Sequence, residues 1–194
     1  MIPESVSEMV PAGFRERLRL PGVGQIGYVV ADIGQTIAYC REAFGIAPWL
    51  VLDERPDPCM QGKEPVHPLL AIGLAYAGSI QIELIQVKEG DSIHLRHLDG
   101  PESRIHHLGF MVQDLDRRLR DYDRIGIGIL QQGTIRNAGI TVKYAYLDVA
   151  DTAGIILELI QWRVGPLPLP TNRLVFGLAC VLGARTVFKG QVIR

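Results

Sequence analysis

The chain has 194 residues, 47% apolar and 21% charged, so it holds enough apolar material for a sizeable buried core. Its formal net charge of -1 gives no electrostatic reason to expect a nucleic-acid or anionic-membrane partner. Three scattered cysteines (Cys40, Cys59, Cys180) with no C-x-x-C pair argue against a disulfide framework and fit a reducing cytoplasm.

Taken in chain order, residues 1–21 form an N-terminal extension, expected to drape over the first patterned module. They are studded with charge (Glu4, Glu8, Arg15, Glu16, Arg17, Arg19) and contain no apolar core of a signal peptide. A β-rich run at 24–31 leads to Asp32, a residue suited to cap a helix. Ile33, Ile37 and Cys40 then recur at the spacing of one helix face, and Gly45 is a plausible stop. Strands are predicted at 49–52, 69–77 and 80–87. The polar stretch 89–103 reads as a linker. Its His94 and His97 could pair on a metal, but a solvated linker helix is the simpler reading.

The pattern then starts again. A strand at 106–113 leads to Asp114, then Leu115, Leu119 and Tyr122 on a helix face, then Gly126. Strands follow at 128–132, 141–149 and 155–162. Gly165-Pro-Leu-Pro-Leu-Pro170 is a stiff connector. The apolar stretch 174–188 needs cover: it packs on the sheet or a partner subunit, or stays poorly ordered and sticky. Its apolar part is too short to span a bilayer core of about 30 Å.

This is an internal repeat. Gln25-Ile-Gly-Tyr-Val-Val-Ala-Asp32 lies over His107-Leu-Gly-Phe-Met-Val-Gln-Asp114, and Glu83-Leu-Ile-Gln86 recurs verbatim as Glu158-Leu-Ile-Gln161. Two landmarks in the same order mark two copies of one module, β-α-β-β-β, at 22–88 and 104–163, with a C-terminal extension at 164–194. The fold class is α+β: two such modules form one curved mixed sheet, a half-barrel cup with helices outside.

Strand side chains alternate faces. Ile26, Tyr28 and Val30 should pack on the helix. Gln25 and Gly27 share the opposite, concave face, as do His107 and Gly109. Small residues beside Gln25 and His107 leave room for a ligand. Glu83 and Glu158 sit inside apolar strands, where a carboxylate is costly unless paired or bound to metal. Each module thus offers two polar groups at matching places. Gln25, Glu83, His107 and Glu158 together make a mixed oxygen and nitrogen donor set suited to one divalent ion such as Zn, Ni, Co or Mn. Plainer readings stand beside this one. His107 could be a buried structural histidine, Gln25 a solvated strand start, and the two glutamates exposed edge residues. His106 competes with His107, but strict alternation turns it to the other face. Trp49 and Trp162 read as packing residues.

At these residues the sequence resembles the vicinal oxygen chelate superfamily, which includes glyoxalase I, methylmalonyl-CoA epimerase, extradiol dioxygenases and the fosfomycin and bleomycin resistance proteins. The ligand order Gln25, Glu83, His107, Glu158 is similar to zinc-type glyoxalase I. Gly27-Tyr-Val-Val-Ala-Asp32, Phe44-Gly-Ile-Ala-Pro-Trp49 and Ile105-His-His-Leu-Gly-Phe110 look closer to the epimerase branch. The resemblance implies a metal-dependent isomerase or lyase. Such an enzyme stabilises an enediolate or enolate and moves a proton next to a carbonyl of a small metabolite or thioester. Glu158, then Glu83, are the catalytic bases it implies, and a cytoplasmic homodimer the expected assembly. Two alternatives remain: an acyl-CoA epimerase, and a non-catalytic binding or resistance protein. The epimerase needs a second acid/base, and the strand around 67–76 offers only His67 or Tyr76.

Overall fold

The computed structural model describes residues 10–96, 104–182 and 190–194. The elements run α1 (Ala12–Leu18), β1 (Gln25–Val29), α2 (Ile33–Phe44), β2 (Trp49–Glu54), β3 (Cys59–Gln61), β4 (Glu64–Pro65), β5 (Leu69–Ala77), β6 (Ile80–Glu89) and α3 (Ile93–Arg96). They continue with β7 (Arg104–Met111), α4 (Leu115–Arg124), β8 (Ile129–Asn137), β9 (Ile140–Leu147), α5 (Ala150–Ala153), β10 (Ile156–Val164), β11 (Leu167–Pro168), α6 (Arg173–Leu182) and β12 (Gln191–Ile193).

The strands form one mixed sheet in the order β12-β2-β5-β6-β1-β7-β10-β9-β8-β3-β4, with β11 on β10. The central eight are two mirrored sets of four. Within each set the first strand pairs parallel with the last (β1 with β6, β7 with β10), and the sets meet where β1 runs antiparallel to β7. The α+β half-barrel cup expected from the repeat is therefore the observed fold class. No helix among the described residues is long and apolar enough to cross a membrane.

Local chemistry explains the helices. The Asp32 carboxylate accepts from Gln35 N at 2.8 Å, and α2 ends on Gly45 in the left-handed region (φ 64°). Asp114 does not cap α4 through its side chain; it pairs instead with Arg117 and Arg118, whose guanidinium groups compete for the carboxylate. Strands β8 and β10 run beyond their predicted ends, to Asn137 and Val164, because ladder pairing with β9 continues through polar residues.

Two apolar layers clothe the outside of the cup. One joins α2 (Ile33, Ile37) to Trp49, Ala71 and Leu84. The other joins α4 (Leu115, Tyr122) to Leu108, Phe110 and Leu157. From Val10 on, the N-terminal extension packs on this second layer rather than on the first module, as α1 puts Leu18 there and Tyr122 Oη donates to Leu18 O at 2.6 Å. The reason is visible in α4, whose sequence LDRRLRDYDR supplies few apolar side chains, so the sheet beneath it needs more cover.

The rims of the cup are also covered. The β2–β5 connection crosses to the far edge, where Cys59–Gln61 pair with Gly133, Gln132 and Gln131 of β8. The C-terminal extension places β12 on the opposite edge, against β2. Both placements hide strand edges that would otherwise be open to pairing. Between them, α6 lies over the cup, with Phe176 against Tyr76 at 5.3 Å between ring centroids. The apolar C-terminal stretch thus packs on the sheet through Phe176 and Cys180, while Leu174, Leu178 and Val181 stay exposed; 183–189 lie outside the described residues.

Candidate metal centre

The seam between β1 and β7 brings all four predicted ligands together within one chain. Register sets two neighbouring rows across the sheet. Glu83, Gly27 and His107 occupy one; Gln25, Gly109 and Glu158 occupy the other. Each half's ligand therefore faces the other half's glycine. A Cβ at Gly27 would lie 1.9 Å from His107 Cε1, and one at Gly109 would lie 2.7 Å from Gln25 Oε1. The glycines are cradles for the two side chains, more than clearance for a ligand.

The donor atoms converge on His107 Nε2. Glu158 Oε2 lies at 3.0 Å, Glu83 Oε2 at 3.2 Å and Gln25 Oε1 at 3.4 Å. The His107, Glu83 and Glu158 donor atoms all lie within 4.8 Å of one another. His107 is 0% exposed and the Glu158 side chain 5%. That excludes the solvated-edge reading of Glu158; the Glu83 side chain, at 12%, is also largely covered. Among the described residues, neither Glu83 Oε2 nor Glu158 Oε2 receives a well-formed hydrogen bond. Two buried carboxylate oxygens aimed at one point call for a cation. Burial opposes charge on His107, but Glu158 and then Glu83 outweigh it and push its pKa up to about 10. Burial raises the Glu158 pKa, while His107 and the Tyr146 hydroxyl favour its charged form. The imidazolium stands where a cation is wanted, and the donor set fits a divalent ion.

A second layer holds this group. Gln25 Nε2 donates to Gln81 Oε1 at 2.9 Å, which leaves Gln25 Oε1 turned to the centre. Tyr146, buried and with its pKa held well above the usual range first by burial, hydrogen-bonds Glu158. Its hydroxyl also lies 3.1 Å from His94 Nε2, and His94 Nδ1 lies 2.6 Å from Ser92 Oγ. His94 is thus 1% exposed and part of the centre's surroundings, not a solvated linker residue; His97 lies outside the described residues. His106 also departs from expectation. The β1/β7 register steps from Gly27↔His107 to Tyr28↔Ile105, so His106 is the extra residue of a bulge. Strict alternation fails there, and His106 Nδ1 sits 3.1 Å from His107 Nδ1.

The centre forms the floor of a cavity of about 360 Å³, reached through Gln25, Glu83 and Glu158. Tyr76 and Trp162 line its wall, but His67 does not. Trp49 is a packing residue on the outer side, its Nε1 donating to Ile46 O at 2.7 Å. In the row of Glu83, the facing strands present Leu74 and Leu50.

Residues 24–146 match the family model of the Glyoxalase/Bleomycin resistance protein/Dioxygenase superfamily. Among solved structures, methylmalonyl-CoA epimerase from Mycobacterium tuberculosis is similar at TM-score 0.54 and 22% identity, over 88% of this chain and 94% of that one. Hypothetical protein BH1468 from Bacillus halodurans C-125 is similar at TM-score 0.52 and 18% identity, over 71% and 91%. A variant of Streptomyces coelicolor methylmalonyl-CoA epimerase in complex with 2-nitronate-propionyl-CoA is similar at TM-score 0.51 and 19% identity, over 78% and 99%. No curated protein matches the chain. At such identities the structural likenesses speak to fold alone. The family match covers well over half of the sequence, so the chain belongs to the Glyoxalase/Bleomycin resistance protein/Dioxygenase superfamily.

Proposed function

We propose that this chain is a divalent-metal-dependent enzyme that moves a proton on or off the carbon beside a carbonyl. The observation that carries the reading is the convergence of Gln25 Oε1, Glu83 Oε2 and Glu158 Oε2 on His107 Nε2 at the floor of a cavity. These four residues would hold the ion, of the zinc, nickel, cobalt or manganese type. Bound there, the ion would supply Lewis-acid stabilisation to negative charge developing on a substrate oxygen. Glu158 is the first proton carrier in this reading, because it lies at the centre and burial raises its affinity for a proton. Glu83, with its side chain less enclosed, is the second. Tyr146 orients Glu158 by its hydroxyl.

An acyl-CoA epimerase is the reading that the structural neighbours favour. In the Glu83 row the neighbouring strands present Leu74 and Leu50, so the acid left to serve as the second base of an epimerase is Glu54 of β2, which also lines the cavity. A binding protein without chemistry would be favoured by tight ligand binding that does not need the metal. A cytoplasmic homodimer completes the proposal, and sedimentation analysis tests the assembly. The chemistry is tested by elemental analysis of the parent, His107→Ala and Glu158→Ala. About one divalent ion per chain in the parent and loss in both variants is expected. Solvent deuterium wash-in beside the carbonyl of candidate substrates then reads the proton transfer.

A further inference from the structure

We infer that the cavity takes a carbonyl compound whose body beyond the metal centre is uncharged and largely apolar, not one that sets a carboxylate or phosphate against the wall, nor a CoA thioester. The inference rests on the proposal that the cup is the substrate site and narrows its substrate class.

The wall carries the argument. Leu52, Leu70, Ile72, Ile85, Ile135 and Val142 make up much of it, and α6 adds Val175, Phe176 and Leu178 across the mouth. Among the described residues lining the cavity, none is Lys, Arg or His. The ionisable acids that do line it, Glu54, Glu83 and Glu158, all carry the sign that repels an anion. Glu54 is buried, which raises its pKa, and its Oε1 accepts from Asn137 Nδ2, so it offers an anion no positive charge. Above the metal centre, a phosphate or free carboxylate placed against this wall would be buried with no side-chain cation among the described residues to pair it. The volume of about 360 Å³ suits a compact molecule, and a nucleotide arm would have to lie outside the mouth, where the described lining offers its phosphates no cation. Among the neutral polar groups of the lining, one donor stands without a partner. The Trp162 indole Nε1–H is buried without a partner among the described residues, a donor that a carbonyl or ether oxygen would satisfy.

The test uses 6-propionyl-2-(dimethylamino)naphthalene, an uncharged ketone whose emission moves to the blue in apolar surroundings, against the matching 6-dimethylamino-2-naphthoate. Both are titrated into full-length protein stripped of metal, so the result does not depend on metal binding. The ketone should bind with a blue shift and at least about 10-fold more tightly than the naphthoate, one decade being about 1.4 kcal/mol. Ile72→Phe, which adds volume to the wall, should weaken the ketone while keeping a cooperative thermal transition. Leu178→Lys, at the exposed mouth, should narrow the gap between ketone and naphthoate. Equal or tighter binding of the naphthoate, or displacement of the ketone by propionyl-CoA at lower concentration than by acetophenone, would overturn the inference. So would the absence of any shift with the ketone. Metal bound at about one per chain alongside any of these results would leave the enzyme reading in place and remove only the substrate class.

Discussion

The imidazole of His107 fills the place that a side chain at Gly27 would take, 1.9 Å from where a Cβ would stand. The two residues pair directly across the seam between the halves of the sheet, so neither can move far without breaking the β1/β7 ladder. Gly27→Ala should therefore push the ring off the convergence point while leaving the outer cores intact. Metal affinity is expected to fall by about 10–100-fold, the usual effect of disturbing what orients a ligand. Chelator competition measures the affinity, and far-ultraviolet circular dichroism checks the fold. Full metal content in this variant would place the ion away from His107.

Gln81 holds the other cradle-bound ligand. Its Oε1 takes the Gln25 amide hydrogen at 2.9 Å and so decides which end of that amide faces the centre. Gln81→Leu removes the acceptor, and the Gln25 amide is free to turn its nitrogen toward the ion. Metal affinity should drop by about 10-fold or more. Gln81→Glu keeps an acceptor oxygen and should restore most of the loss. A merely structural role for Gln81 would predict no such rescue.

The repeat made the centre legible from sequence, because an offset shared by Gln25/His107 and roughly by Glu83/Glu158 places four polar groups at equivalent points of two equivalent sheets. What surrounds them was less legible. Tyr146 could have been found by alternation along β9, since it pairs directly with Glu158, but nothing local separates it from Tyr144. His94 reaches the centre from the linker, and only tertiary packing brings it to Tyr146. His106 was assigned to the wrong face because a bulge is a local break in the period that the assignment assumed. The crossing of Cys59–Gln61 to β8 joins segments 70 or more residues apart, with no pattern in either to announce it.

Proton competition gives a test in solution. A ligating imidazole must be unprotonated at the binding nitrogen. In the metal-free chain the His107 pKa is raised from 6.5 to about 10, so the ring is charged at neutral pH. The sign follows from linkage. The ion pair stabilises the metal-free fold fully below about pH 6.5, and that contribution is lost as pH rises through about 10. Metal uptake at neutral pH should thus expel about one proton per ion, and affinity should climb by up to about 10-fold per pH unit. Calorimetry in buffers of different ionisation heat counts the protons. Affinity that stays flat between about pH 6 and about pH 8 would show that His107 is not the residue in competition.

Tyr146 separates holding the metal from moving the proton. Its hydroxyl joins Glu158 to His94, and it is no member of the donor set. Tyr146→Phe removes one oxygen from a buried position and leaves the ring contacts with His94, His106 and His107 in place. His94 Nε2 loses one partner, so a modest fall in thermal stability, about 1–3 kcal/mol, is expected. Metal content should stay near about one ion per chain, since all four donors remain. The rate of solvent deuterium exchange into a substrate should fall by about 10–100-fold, because Glu158 loses the bond that aims its carboxylate. Loss of the metal along with the rate would make Tyr146 a support of the ion site. An unchanged rate would move the base from Glu158 to Glu83, whose carboxylate does not depend on that hydroxyl.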